Sequence, residues 1–143
     1  MKKINFNDLP NTDTPINSSN LNQLQTNVEN AINGVIESGS NENGKYIKFA
    51  DGTMICRHTF TKTLSFPIEW GGWYEGTISN VSFPQSFVGE IPDISLDKTR
   101  GAEAIVGTVN PTLTGIESAT LQRPTTATDV ACVFSYIAIG KWK

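Results

Sequence analysis

The chain has 143 residues, 38% hydrophobic and 17% charged, with a formal net charge of −3, a length that supports one domain of roughly 100 residues and an appendage. Lys and Arg are scattered, so there is no basic field to hold a phosphate backbone, which excludes nucleic acid as a partner. Met1-Lys2-Lys3 is followed by no apolar signal core and no later run is as long as a membrane span, so the expectation is synthesis in a cytoplasm without membrane insertion.

Residues 1–17 contain Asp8-Leu9-Pro10-Asn11-Thr12-Asp13-Thr14-Pro15, where two prolines and several turn formers preclude regular structure and predict an extended arm. From Asn17 or Ser18, either a suitable N-cap, apolar residues recur at Leu21, Leu24, Val28, Ala31 and Val35, the a/d spacing of a heptad. A helix over 18–38 follows, with Gly39 as its stop. The seam lasts only about two heptads, and Asn20, Asn22, Asn27, Asn30, Asn33 and Gly34 are poor helix formers. Such a helix needs partners. Two arrangements supply them: a parallel self-associating bundle, read as a homotrimer, or packing against the chain's own β-domain.

At Lys45 the period changes to two. Tyr46-Ile47-Lys48-Phe49, the Asp51-Gly52 turn and Thr53-Met54-Ile55-Cys56-Arg57-His58 predict a β-hairpin, because Asp-Gly readily takes the positive φ that tight turns require. Further strands are expected near 60–66, 74–81, 91–97, 103–109, 114–121 and 130–141, separated by Gly, Pro and Asn breakers. The fold class is therefore mainly β: a short N-terminal stalk helix, then an antiparallel β-sandwich head over 45–143. The last strand alternates Cys132, Phe134, Tyr136 and Ala138 with Val133, Ser135, Ile137 and Ile139. Both faces are apolar, which predicts cover on both sides, the second layer being either another sheet or a neighbouring subunit. Cys56 and Cys132 both fall in strand patterns as small buried hydrophobes. Free thiols suit a reducing compartment, with a disulfide as the alternative.

The opening Ile4-Asn5-Phe6, Thr14-Pro15-Ile16-Asn17 and Asn20-Leu21-Asn22, the Tyr46 to Cys56 hairpin, Trp70-Gly71, Phe83-Pro84-Gln85-Ser86-Phe87, Ile91-Pro92 and the closing Tyr136 to Lys143 together resemble phage tail fibre or baseplate receptor-binding proteins of Gram-positive hosts. The Phe-Pro segment and the Ile-Ala-Ile-Gly ending are also similar to the H-type lectin fold. The resemblance implies a trimeric adhesin of the virion, made in the host cytoplasm. Its arm over 1–17 would bind other tail or baseplate proteins, and its head would bind a host cell-wall polysaccharide or teichoic acid. It also implies a structural place for Trp70.

A saccharide-binding head needs an aromatic platform beside carboxylates, amides or Arg. Trp73, Tyr74 and Glu75 supply that mixture in one loop; Asp97, Arg100 and Glu103 form a second cluster, and Arg123 a third. Arg at such a site forks onto vicinal hydroxyls or phosphate. Strand-end aromatics that merely close a core, and charged turns that are merely solvated, are the plain alternatives. No enzyme is expected. His58 is the only histidine and no nucleophile motif surrounds any Ser; the chain has no zinc-ligand spacing and no phosphate loop, so neither metal nor cofactor is expected. The two rival classes are a connector that binds only virion proteins and a wall polysaccharide depolymerase, for which Glu69 and Glu75 are the nearest acid pair.

Overall fold

The computed structural model of the protein describes residues 18–143, with the backbone alone described for 30–33. The expected arm over 1–17 lies outside the described residues.

Helix α1 spans Ser18–Asn33 and stops five residues earlier than the heptad spacing predicts. Gly34 takes a φ of 48°, the left-handed cap that ends many helices, and its carbonyl accepts from the Ala50 amide at 2.9 Å. The β-branched pair Val35-Ile36 then enters strand β1, Val35–Asn41. Val35 therefore belongs to a strand, opposite Phe49, and the head begins at Val35, not Lys45. Of the remaining seam, Leu21 is half-buried, while Leu24 and Val28 are 59% and 45% exposed. The described residues of α1 form no packed interface with either sheet.

Strand β1 turns back through Glu42-Asn43 into β2, Gly44–Phe49. The Asn43 amide donates to Asn41 Oδ1 at 2.9 Å, and Gly44 is required because a Cβ there would run into the Arg57 carbonyl oxygen. The two strands are also tied by side chains, Tyr46 Oη donating to Glu37 Oε1 at 2.7 Å and Lys48 Nζ to Glu37 Oε2 at 3.0 Å. Both donors, Tyr46 first, hold the Glu37 carboxyl below its ordinary range. The expected hairpin follows: β2 pairs with β3, Thr53–Phe66, from Lys45 opposite Arg57 to Lys48 opposite Met54. What reads in sequence as two strands, 53–58 and 60–66, is this one strand.

The remaining strands are β4 (Ile68–Trp70), β5 (Trp73–Ser82), β6 (Asp93–Arg100), β7 (Ile105–Pro111), β8 (Gly115–Arg123) and β9 (Ala127–Lys141). They form two antiparallel sheets, β1-β2-β3-β9-β6 and β4-β5-β8-β7. The long ladder between β3 and β9 runs from Thr53 opposite Lys141 to Phe66 opposite Ala127. Ladders are irregular near the margins: register shifts occur in β1, in β6 between Lys98 and Arg100, and twice in β7.

The core lies between the sheets, where Met54, Cys56, Phe66, Phe134, Tyr136 and Ala138 of the first meet Ile78, Ile116, Ala119 and Leu121 of the second. Phe83 and Phe87, from the connection between β5 and β6, close it beside Tyr136, Phe83 lying 5.4 Å from the Tyr136 ring. The predicted inner face of β9 is buried; the other face is not, with Ile137 50% exposed.

Both cysteines are free and buried. Cys132 stands opposite Lys62, six residues along β3 from Cys56, about 20 Å at strand rise and far beyond the ~7 Å limit for a bridge. Burial pushes the Cys56 thiol up to about 11, so little nucleophilic thiolate forms at neutral pH. Neither cysteine should react with a thiol reagent in the native protein, and both should react once denaturant unfolds it. Native labelling, or thiols absent after unfolding, would contradict this packing.

Candidate aromatic platform

The outer face of the second sheet follows from its registers. Trp70 pairs with Trp73 across the Gly71-Gly72 turn, whose φ values of 55° and 84° only glycine accepts without cost. One step along, Ile68, Glu75, Gln122 and Ile105 stand in a single cross-strand row over β4, β5, β8 and β7. Directly opposite residues share a face, so two indole rings border a row that combines a carboxylate and an amide with two aliphatic side chains. Trp70 is 66% exposed, and Trp73, Ile68 and Ile105 are also exposed. A shallow groove of about 380 Å³ is lined by Trp73, Lys98, Glu103, Ile105, Gln122 and Pro124.

This arrangement can stack a flat apolar ring face on indole while Glu75, Gln122 and Glu103 accept or donate hydrogen bonds at its edge. Contiguous exposed apolar surface of this kind is uncommon on a protein that has no use for it.

Of the predicted residues, Trp73, Glu75 and Glu103 stand here together. Tyr74 and Arg123 do not: they pair with each other on the inner face of the sheet, where Tyr74 packs on the core and Arg123 lies 5.5 Å over the Phe66 ring and donates to Thr125 Oγ1 at 3.1 Å. The odd-even alternation of β5 turns Tyr74 inward when Trp73 and Glu75 face out. Asp97 and Arg100 lie on β6 of the other sheet, exposed and opposite Ser135 and Val133. Trp70, for which the resemblance implied a structural place, closes no core. Gln122, Ile105 and Ile68 were missed because only the pairing of distant strands brings them beside the tryptophans. Glu69 and Glu75 lie on opposite faces of the β4–β5 ladder, since Glu69 pairs with Tyr74 and Glu75 with Ile68, so they do not flank one cleft.

A larger hollow of about 660 Å³ opens on the first sheet over Lys45, Arg57, Thr59, Ser135 and Ile137, with His58 and Tyr136 behind. It presents no exposed ring: Tyr136 is buried, donating to the Asn43 carbonyl at 3.2 Å, and His58 stacks on Phe60 at 5.7 Å. The contacts of His58 are aromatic, and burial holds its imidazole below its ordinary range. Among the described residues, no group of three or more His, Cys, Asp or Glu side chains could hold a metal ion.

No protein-family model matches the chain, and no curated protein matches it. Two solved structures are similar. One is an N-truncated R1-type pyocin tail fiber, 15% identical over 80% of this chain and 94% of that one, with a TM-score of 0.43. The other is a C-terminal fragment of the P. aeruginosa R1 pyocin fiber, 13% identical over 92% of this chain and 39% of that one, with a TM-score of 0.44. Likeness of this degree carries no argument about function, which rests on the residues themselves.

The neutral state of His58 has a consequence for stability. Its folded pKa lies below the unfolded value of ~6.5, so its stabilising effect is complete above that pH and is lost as pH falls from there through the folded value. The depressed carboxyls Glu37 and Asp51 act in a separate window, below their ordinary values of 4.5 and 3.8. The melting temperature should therefore decline between pH 7.5 and 5.5, and His58→Phe, which keeps a ring without a titrating group, should flatten that decline. Identical slopes for the two proteins would refute the assignment.

Proposed function

We propose that the chain is a non-catalytic receptor-binding module of a phage tail, in which a β-sandwich head binds a host cell-wall saccharide and helix α1 gathers copies into a trimer. The observation that carries the reading is the exposed Trp70–Trp73 pair beside the Glu75–Gln122 row. Neither exposed ring serves the core, and the groups beside them are those that bond sugar hydroxyls. The sequence resemblance to tail receptor-binding proteins points the same way. Arg100 and Arg123 lie away from this face, and Lys98 is the cation that lines its groove beside Glu103, so the platform suits a saccharide ring better than a polymer of closely spaced phosphates.

The helix supports the second half of the reading. An isolated helix of 16 residues is marginal in water, and Leu24 and Val28 remain uncovered. Packing those residues against two other copies buries them and sets three heads side by side. Three linked sites gain avidity of roughly 10²–10⁴ without better individual contacts. The arm over 1–17 would then join the trimer to other tail or baseplate proteins.

The test is binding of the full chain to fractionated wall polysaccharides. Trp70→Ala with Trp73→Ala should reduce binding at least tenfold and leave the circular dichroism of the fold unchanged, since neither ring belongs to the buried core. Leu24→Asp with Val28→Asp should leave the head folded, disperse the trimer and lower avidity. Unchanged binding by the tryptophan variant would refute the platform, and a wild-type chain that binds virion proteins but no polysaccharide would make it a connector. Release of reducing ends would make it a depolymerase.

A further inference from the structure

The outer face of the first sheet carries a pattern that the saccharide reading does not use. Ile47, Ile55, Ile139 and Asp93 stand opposite one another in one row across β2, β3, β9 and β6. The next row is Lys45, Arg57, Ile137 and Ser95, and in the third Thr59 and Ser135 lead to Asp97. The centre of the face is thus isoleucine. Its β1–β3 side bears two cations, Lys45 and Arg57, with Ser38 and Ser40 of the edge strand β1 beyond them, and its β6 edge bears two carboxylates, with Lys141 and Arg100 outside these rows at opposite ends. Lys45, Arg57, Asp93 and Asp97 are all exposed, and none has an ion-pair partner among the described residues.

We infer that this face is the contact between heads of neighbouring copies, the Lys45/Arg57 flank of one chain meeting the Asp93/Asp97 flank of the next around a threefold axis, with the isoleucines enclosed. The inference rests on the trimer proposed above and adds a surface that α1 does not supply. Charge complementarity selects a second copy as the occupant. Three inward-facing sheets in a ring bring the left flank of each against the right flank of its neighbour, which in this chain are of opposite sign. The alternative of leaving the face in water exposes Ile137 and Ile139 beside partly covered Ile47 and Ile55, a contiguous apolar patch ringed by charge and so of the kind that marks interfaces. The three rows over four strands cover on the order of 400 Å² of flat area; standing side chains raise the accessible area toward the ~800 Å² per partner of stable complexes. The platform of the second sheet faces away from this contact and stays open to ligand.

Sedimentation equilibrium of the full chain tests the inference. Wild type should be trimeric at micromolar concentration. Ile137→Asp, and separately Lys45→Glu with Arg57→Glu, should weaken association at least tenfold without altering circular dichroism. Adding Asp93→Lys and Asp97→Lys to the latter pair reverses both flanks and should restore association to within about threefold of wild type, a rescue that a general loss of solubility or folding would not give. Association unaffected by Ile137→Asp, or a four-fold charge variant no better than the double one, overturns the contact. A monomeric wild type also overturns it, leaving the face to a different protein. Leu24→Asp with Val28→Asp reports on the helix separately, and loss of wall binding by the tryptophan variant reports on the platform, so failure of each reading is seen independently.

Discussion

The ladder between β3 and β9 is the constraint from which the rest of the molecule follows. It is the longest pairing in the fold, and it fixes which side of each strand is inside. A slip of one residue would move every side chain to the opposite face, exposing Phe134 and Tyr136 and burying Ser135 and Lys141. The register is held against that slip by the row of core residues on one side and by the joint at its end, where the Trp142 amide and indole donate to the carbonyls of Gly52 and Phe49, each at 3.0 Å. With β9 fixed, β6 is placed on its other edge and the second sheet lies over the buried face.

That geometry separates two chemistries by the thickness of a sandwich, about 10 Å between sheets. Rings and hydrogen-bonding groups stand on the outer side of one sheet, isoleucines and charges without an ion-pair partner among the described residues on the outer side of the other. Only the core lies between them. The two outer faces belong to different sheets, so substitutions can be made on either one at a time. The helix adds a third surface, joined to the head through Gly34, whose carbonyl accepts from the Ala50 amide.

Much of this was legible in the sequence. Period-two alternation and Asp51-Gly52 located the hairpin, and the breakers located most later strands, because each signal is local. The errors arose where a local pattern admitted two periods. Val35 fits a heptad, and only Gly34 with the β-branched pair that follows reveals a helix end and a strand start. The short strand β4 has no alternation to detect. At the platform, Trp73, Glu75 and Glu103 carry a compositional signal and share the outer side, whereas Tyr74 and Arg123 stand on the inner face, because adjacent residues in a strand face opposite ways. Gln122 and Ile105 carry no signal of their own; their place beside the tryptophans is a property of pairing between strands far apart in the chain.

The margins of the two sheets bear on how many copies can coexist at close quarters. Each open strand edge is a template on which another chain could extend the ladder, the route by which β-proteins polymerise into fibrils. Here β4 has three residues, β1 and β6 are each broken by a shift in register, and β7 carries two shifts and ends in Pro111, which has no amide to offer. None of the four margins is a long straight template. Copies that met would find side-chain surfaces, whose contacts can be finite and closed, before any edge fit for hydrogen-bonded growth without end.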